Sequence, residues 1–429
     1  MKLTTIGLGY IGLPTSIMFA KHGVDVLGVD IKQEAVDMLN AGKIHIEEPG
    51  LQDALEAVIE QGTFRASTTP EEADVYIIAV PTPNNDDQFK SCDISIVMSG
   101  VKSIVPLLKK GDTVIVESTI APRTMDDNVA PYLEEQGFTI GEDIFLVHCP
   151  ERVLPGKIME ELIYNNRIIG GMTPACVEAG KKVYGTFVKG EMIETNAKTA
   201  EMSKLMENTY RDVNIALANE LAKICNHLDI NVHEVIEMAN KHPRVNLHTP
   251  GPGVGGHCLA VDPYFIIAEA PEKSPLIQQA REINKSMPAY VFDYTKEILS
   301  KLDGAKVTVF GLTYKGDVDD IRESPAFDIY ELLRKDEKLD VVAYDPHVKM
   351  DWVEKDVKKA VADSSLVLVL SDHSQFKEMT DDDFSTMKDA YIFDTKNVMK
   401  HDFKEVNYYN YGNIQKIKED IHLKFNVVL

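Results

Sequence analysis

The sequence contains no run of about 18 uninterrupted apolar residues, so no transmembrane helix is expected. It contains no C-x-x-C pair either. Its five cysteines, Cys92, Cys149, Cys176, Cys225 and Cys258, are odd in number and widely spread, which argues against a disulfide framework and a cysteine zinc site. No metal is expected, and the thiols fit a reducing, cytoplasmic setting. Positive charge is in short supply: Lys and Arg number 45 against 68 Asp and Glu, for a formal net charge of −23. That balance excludes a general nucleic-acid or membrane-surface binder and leaves any anionic ligand to a local basic pocket. Short-period repeats are absent, so a solenoid is not expected. The apolar stretch Ile6 to Ala20 is broken by glycines and Pro14 and has no small-residue cleavage site after it, so it reads as structure.

What is present is ample: 429 residues with 44% hydrophobic content can bury large cores in roughly two to four domains. Lys2 to Leu8 reads as a buried strand, Gly7-Leu-Gly-Tyr-Ile-Gly12 as a turn, Pro14 to His22 as a helix and Asp25 to Val29 as a second strand ending at Asp30. A G-x-G-x-x-G between strand and helix, with an acid after the next strand, lays a pyrophosphate on a helix N-terminus and binds an adenosine ribose. Gly7, Gly9, Tyr10, Ile11, Gly12 and Asp30 are therefore expected to hold a dinucleotide. The acid, with no Arg directly after it, favours NAD over NADP.

The α/β alternation continues through strands at Ala73 to Val80, Gly111 to Val116 and Asp143 to Val147, with a helix over Ile94 to Leu108. Ligands of open parallel sheets collect at the carboxyl ends of strands. Thr82 in Val-Pro-Thr-Pro83 and Thr119 in Glu-Ser-Thr119 are cofactor candidates there, unless they only cap turns. Glu151 and Arg152 in His-Cys-Pro-Glu-Arg152 share the edge, where a solvated pair is an equal reading. From Asn196 to His227 the period becomes that of one long helix, the link between domains. It sets Lys204, Asn208 and Arg211 on one face, for a ligand or for solvent.

After a helix at Asn231 to Asn240 and His242-Pro-Arg244 comes Pro250-Gly-Pro-Gly-Val-Gly-Gly-His-Cys-Leu-Ala-Val-Asp262. Four glycines in six residues let the backbone approach a ligand closely and present Cys258 to it. Cys258 is the candidate nucleophile, although a free cysteine is as often a packed small hydrophobe. A helix near Ser274 to Leu299 follows. After Gly304 the rhythm restarts, with strands at Lys306 to Phe310, Asp340 to Ala343, Ser365 to Leu370 and Ala390 to Phe393, and a helix at Ser324 to Arg334. This second nucleotide-type domain lacks G-x-G-x-x-G. Lys315 and Arg322 could grip phosphates, or pair with Asp317, Asp319 and Asp320.

The linked elements GLGYIG, VPTP, EST, CPER, the K-x-x-x-N of the long helix, GGHC-x-x-x-D, TYK and RES occur in one order over Met1 to Gly412. In that order they resemble the UDP-glucose/GDP-mannose dehydrogenase family of nucleotide-sugar 6-dehydrogenases. The strings HCPERVLPG, HPRVNLHTPGPGVGGHCLAVDPYF and GLTYKGDVDDIRESPA are similar to the branch that acts on UDP-N-acetyl-D-mannosamine. The resemblance implies an α/β chain of two Rossmann-like doubly wound domains joined by a long central helix and a helical middle domain. The expected divisions are 1–195 for NAD, 196–300 for dimerisation and the cysteine loop, and 301–429 for UDP.

It also implies a four-electron oxidation at the sugar C6, with Cys258, Lys204, Asn208, Asp262 and Glu151 in catalysis. Arg152, Val153, Arg211, His242, Arg244, Gly255, Tyr314 and Lys315 would surround a UDP-N-acetylhexosamine. Arg244 would reach from a second subunit of a homodimer, and Arg322 would contact the cofactor. Two departures from the UDP-glucose branch stand out: Val261 replaces a lysine, and Pro155 replaces a glutamate assigned to thioester hydrolysis, which leaves Glu151 for that role. The alternatives are oxidation of UDP-N-acetylglucosamine or UDP-glucose, or a silent nucleotide-sugar sensor.

Overall fold

A computed structural model of the chain describes residues 1–302 and 304–417. The tail to which the sequence assigns no role, Asn413 to Leu429, lies outside the described residues beyond 417. Contacts gather the chain into two compact units, Met1–Glu207 with Tyr264–Lys273, and Asn208–Pro263 with Ser274 onward.

The first unit is built on eight strands: β1 (Lys2–Ile6), β2 (Asp25–Val29), β3 (Phe64–Ser67), β4 (Val75–Ile78), β5 (Thr113–Val116), β6 (Phe145–His148), β7 (Arg167–Gly171) and β8 (Met192–Asn196). They lie in the order β3-β2-β1-β4-β5-β6-β7-β8, parallel throughout except between β6 and β7. The helices are α1 (Gly12–Lys21), α2 (Gln33–Asn40), α3 (Leu51–Glu60), α4 (Ser95–Ile104), α5 (Ala130–Glu135), α6 (Ile158–Tyr164) and α7 (Pro174–Tyr184). Alternate side chains of one strand enter different cores: Val75 and Ile77 join Leu13, Ile17 and Phe19 of α1, whereas Tyr76 and Ile78 join Val97, Val101 and Ile104 of α4. Burial on both faces explains why these strands are continuous apolar runs. The strand expected over Lys2 to Leu8 stops at Ile6, because Gly7 turns to φ +95. Residues 31–72 and 157–196 carry no motif, yet they supply α2, α3, β3, α6, β7, α7 and β8.

The second unit holds a five-stranded parallel sheet in the order β10-β9-β11-β12-β13, from β9 (Lys306–Phe310), β10 (Asp340–Tyr344), β11 (Leu366–Val369), β12 (Tyr391–Asp394) and β13 (Asn407–Asn410). Its helices are α9 (Val232–Asn240), α11 (Pro275–Leu299), α12 (Pro325–Arg334) and α13 (Val357–Val361). Two helices run through the boundary of the units: α8 (Ala197–His227), 31 residues long, and α10 (Asp262–Glu269). In each sheet the winding reverses beside the first strand, between β1 and β4 and between β9 and β11, where such folds bind ligands.

The two sheets open alike. Gly7 N–H bonds Val29 O at 2.8 Å and Gly311 N–H bonds Tyr344 O at 2.9 Å, both glycines at positive φ. Leu8 N–H donates to Asp30 Oδ2 at 3.1 Å, and Leu312 N–H to Asp345 Oδ2 at 2.8 Å. Among the described residues no helix is long and apolar enough to cross a membrane.

Candidate active site

In the first unit the glycine turn joins β1 to α1, and each glycine meets a different constraint. A Cβ on Gly7 would lie 2.5 Å from Ala79 O, and one on Gly12 would lie 1.9 Å from Gly7 O, so both are required by the turn itself. A Cβ on Gly9 would meet nothing within 4 Å. The space in front of Gly9 is open at a helix N-terminus, which is what a closely approaching pyrophosphate needs. Tyr10 is exposed and Ile11 half-buried beside it. Asp30, half-buried at the end of β2, accepts the N–H groups of Leu8 and Lys32 at 3.1 and 3.0 Å, which aims its carboxylate along the turn.

Thr82 and Thr119 come together at the ends of β4 and β5, where Thr82 Oγ1 donates to Thr119 O at 2.6 Å. The loop after Thr119 is held from α8: Glu201 accepts the N–H groups of Arg123 and Met125 at 2.6 and 2.8 Å, and Arg123 sits at φ +72. Burial pushes Glu201 up to about 7, against the pull of those N–H groups.

Glu151 lies in a buried ionic knot. Arg167 of β7 pairs with Glu151 and, at 3.3 Å, with Glu117, while Tyr184 Oη donates to Glu117 Oε1 at 2.6 Å. The other Glu151 oxygen accepts the Arg152 N–H at 2.7 Å. Burial raises Glu117 above the usual carboxylate range, with Arg167 opposing. Arg152 bonds Glu207 at 2.9 Å and Asn166 O at 3.2 Å, and Val153 packs against the core. The turn that follows is closed by buried Glu48, which accepts the N–H groups of Gly156 and Ile158 at 2.8 Å each.

In the second unit Cys258 is exposed at the end of the glycine loop. Its carbonyl accepts the Asp262 N–H at 2.8 Å, and buried Asp262 takes the amide of Asn208 at 2.6 Å. Lys204, buried on the part of α8 that belongs to the first unit, precedes Asn208 by four residues. The loop is pressed onto the segment after β9. A Cβ on Gly255 would lie 2.2 Å from Glu323 O and 3.0 Å from Tyr314 Cβ, and one on Gly256 would lie 2.8 Å from the Tyr314 ring. Gly256 N–H bonds Glu323 O at 3.1 Å, and Glu323 holds φ +49, a backbone cost accepted only where the surroundings impose it. Three motifs far apart in sequence, GGHC, TYK and RES, thus meet in one place.

Three models of the UDP-glucose/GDP-mannose dehydrogenase family match the chain: the NAD binding domain over residues 1–188, the central domain over 198–286 and the UDP binding domain over 308–401. The UDP-N-acetyl-D-mannosamine dehydrogenase of Methanococcus maripaludis is 45% identical over 409 residues, 93% of each chain. An NDP-N-acetyl-D-galactosaminuronic acid dehydrogenase of Ralstonia nicotianae is also 45% identical, over 92% of this chain and 95% of its own. The solved structure of the UDP-N-acetyl-mannosamine dehydrogenase Cap5O from Staphylococcus aureus is 72% identical with a TM-score of 0.93, over 97% of this chain and 100% of its own. This chain belongs to the UDP-glucose/GDP-mannose dehydrogenase family. It is an NAD-dependent UDP-sugar dehydrogenase, an oxidoreductase.

For a member of this dehydrogenase family, the remaining expected contacts lie at the surface: Arg211, His242, Arg244 and Lys315 are exposed. Arg322 is exposed too, and its guanidinium grips Asp320 through two bonds of 2.8 Å, with His257 3.3 Å from the same carboxylate. The Arg322 hydrogen bonds hold Asp320 down to about 2.

Asp317, His347 and His373 bring potential metal-ligand atoms within 4.8 Å of one another. The ring nitrogens of His373 are already engaged, Nδ1 by the Asp317 N–H at 2.9 Å and Nε2 by Asp345 at 3.1 Å, and Asp317 takes the Ser374 N–H and hydroxyl. The cluster clasps the loop after β9 to the loop after β11. Lys396, just beyond β12, was not singled out in the sequence, and its Nζ stands 3.9 Å from where a Gly251 Cβ would be. It lies two residues after a strand that ends in Asp394, at an edge where such sheets collect ligands.

Proposed function

We propose that the chain oxidises the C6 hydroxyl of UDP-N-acetyl-D-mannosamine to the carboxylate, giving UDP-N-acetyl-D-mannosaminuronate for surface polysaccharide synthesis in the cytoplasm. The reading is carried by the convergence of the Cys258 loop on Asn208 and Asp262 on one side and on Tyr314 and Glu323 on the other. The sugar is supported by similarity to the relatives named for it. The three-part division into 1–195, 196–300 and 301–429 belongs to the same reading.

The balance is one alcohol, two NAD and one water to one carboxylate, two NADH and three protons. Gly7, Gly9, Gly12 and Asp30 would hold NAD, which would supply a hydride acceptor once for each of the two oxidations. Lys204 or Asp262 takes the hydroxyl proton as the aldehyde forms, and Asn208 donates to the developing oxyanion. The Cys258 thiolate adds to the aldehyde carbon to give a thiohemiacetal, and loss of its hydrogen as hydride leaves a thioester that water hydrolyses. Glu151, with Arg167 on one oxygen and the Arg152 N–H on the other, is the group assigned to that hydrolysis in place of the glutamate missing at Pro155. The sugar and UDP are held by Arg152, Val153, Arg211, His242, Gly255, Tyr314 and Lys315. Arg244 comes from the partner of a homodimer. The dimer reading is supported by Tyr210, Leu217 and Ile224, large apolar residues exposed at seven-residue spacing along α8, with Leu228 exposed just beyond its end.

The test is Cys258→Ser. Wild type should form two NADH per sugar with little free aldehyde, as read by NADH absorbance and product analysis. The variant should oxidise supplied aldehyde at least about 100-fold more slowly, because a serine hydroxyl is scarcely ionised near neutrality. Carboxylate produced at near wild-type rate by the variant would sink the thioester route. A panel of UDP-sugars differing at C2 and C4 decides the epimer.

A further inference from the structure

Beneath the cysteine loop, four buried polar side chains form a single line of hydrogen bonds. Arg281 Nη1 and Asn284 Nδ2 of α11 donate to Asp212 Oδ1 of α8 at 2.6 and 2.8 Å. Asn219, two turns further along α8, donates through Nδ2 to Asn284 Oδ1 at 2.9 Å, and its Oδ1 accepts the N–H of Gly251 at 2.9 Å. Asp212 and Asn219 are fully buried, and Asn284 and Arg281 are 1% and 4% exposed. Each link sets the direction of the next. Asp212, beside Arg281, offers only acceptors, so Asn284 turns its NH2 toward it and its carbonyl toward Asn219. Asn219 must then give its own NH2 to that carbonyl, which leaves its oxygen for the loop. An apolar pair would pack two helices together as well, but it could not hold a buried loop N–H.

Gly251 opens the loop and is buried. Its carbonyl accepts the Tyr411 hydroxyl at 3.4 Å, and the far end is tied by Gly256 N–H to Glu323 O, two residues before Cys258. Between these ties lie two glycines, one at φ +140, a stretch with little conformational restraint of its own. We propose that Asn219 is a positioning residue for Cys258. It fixes where the glycine loop begins, and Asp212, Arg281 and Asn284 fix which way its amide faces. The proposal rests on the reading of Cys258 as the nucleophile.

The test compares Asn219→Ala, which removes the acceptor for Gly251, with Asn219→Asp, which keeps that acceptor and loses the donor to Asn284. Turnover on UDP-N-acetyl-D-mannosamine should fall about 10- to 100-fold in the alanine variant and less than about fivefold in the aspartate variant, with KM for NAD within about twofold of wild type in both. Amide hydrogen exchange over residues 250–258 should quicken by about tenfold or more in the alanine variant alone. Alanine turnover within about twofold of wild type overturns the proposal, and so do losses in the two variants that simply follow their melting temperatures. If neither variant folds, Tyr411→Phe removes only a hydroxyl at the same glycine. It must then quicken exchange in that segment, and unchanged exchange overturns the proposal. Wild type that forms no NADH from any UDP-sugar overturns the functional reading instead, and it does so before any substitution is made.

Discussion

Asp30 is the carboxylate proposed to select the cofactor. Two backbone N–H groups fix its direction, and in the proposed site it would offer adenosine ribose hydroxyls an acceptor and a 2′-phosphate a like charge. Asp30→Ala should weaken NAD binding by about 10- to 100-fold and bring the NAD/NADP ratio of kcat/KM close to one, measured with both cofactors. An unchanged ratio would remove Asp30 from the site. Such residues were legible because a motif names them. Asn219, Glu201, Glu48 and Arg167 were not. Each is a polar residue on a helix, strand or loop, and each is buried against a partner 16 to 110 residues away. Glu151 is named by the sequence as a candidate, but its pairing with Arg167 was not legible, since β7 carries no motif.

At the scale of elements, the strands and the long helix were readable from period and apolar content, and α8 matches its expected span within a residue. The segments between motifs were harder, because α2 and α3 are short amphipathic helices with no glycine signature. Lines of contact between elements carry consequences of their own. Glu201 joins α8 to the loop after β5, and burial gives it an affinity for protons well above that of an ordinary glutamate. Its pKa is raised on folding, so the stability it contributes is complete below about 4.5 and is lost as pH rises through about 7. Glu201→Gln should remove this titration. The stability of wild type minus that of the variant, from denaturant titrations at several pH values, should fall by on the order of 2–3 kcal/mol across that window and stay level above it. A difference flat from pH 4 to pH 8 would contradict the assignment.

For the whole molecule, the exposed α8 stripe and the neighbouring-subunit role proposed for Arg244 make one prediction. Leu217→Glu with Ile224→Glu should shift the sedimentation profile from dimer to monomer and reduce turnover by about tenfold or more. A dimer that persists with full activity would place the interface elsewhere.

The shared opening of the two sheets has a further consequence, for stoichiometry. Asp345 repeats the place of Asp30, but its carboxylate is fully buried and bound by His373, Leu312, His347 and Val348. Burial would raise it, yet the His373 bond and these N–H groups hold it below the ordinary carboxylate range. The imidazole acts as a resident ligand, occupying the acceptor that the first sheet leaves for a ribose. One chain should therefore take up a single dinucleotide. Calorimetric titration with NAD should saturate at one per chain, and a second equivalent bound with similar affinity would mean that His373 yields its seat.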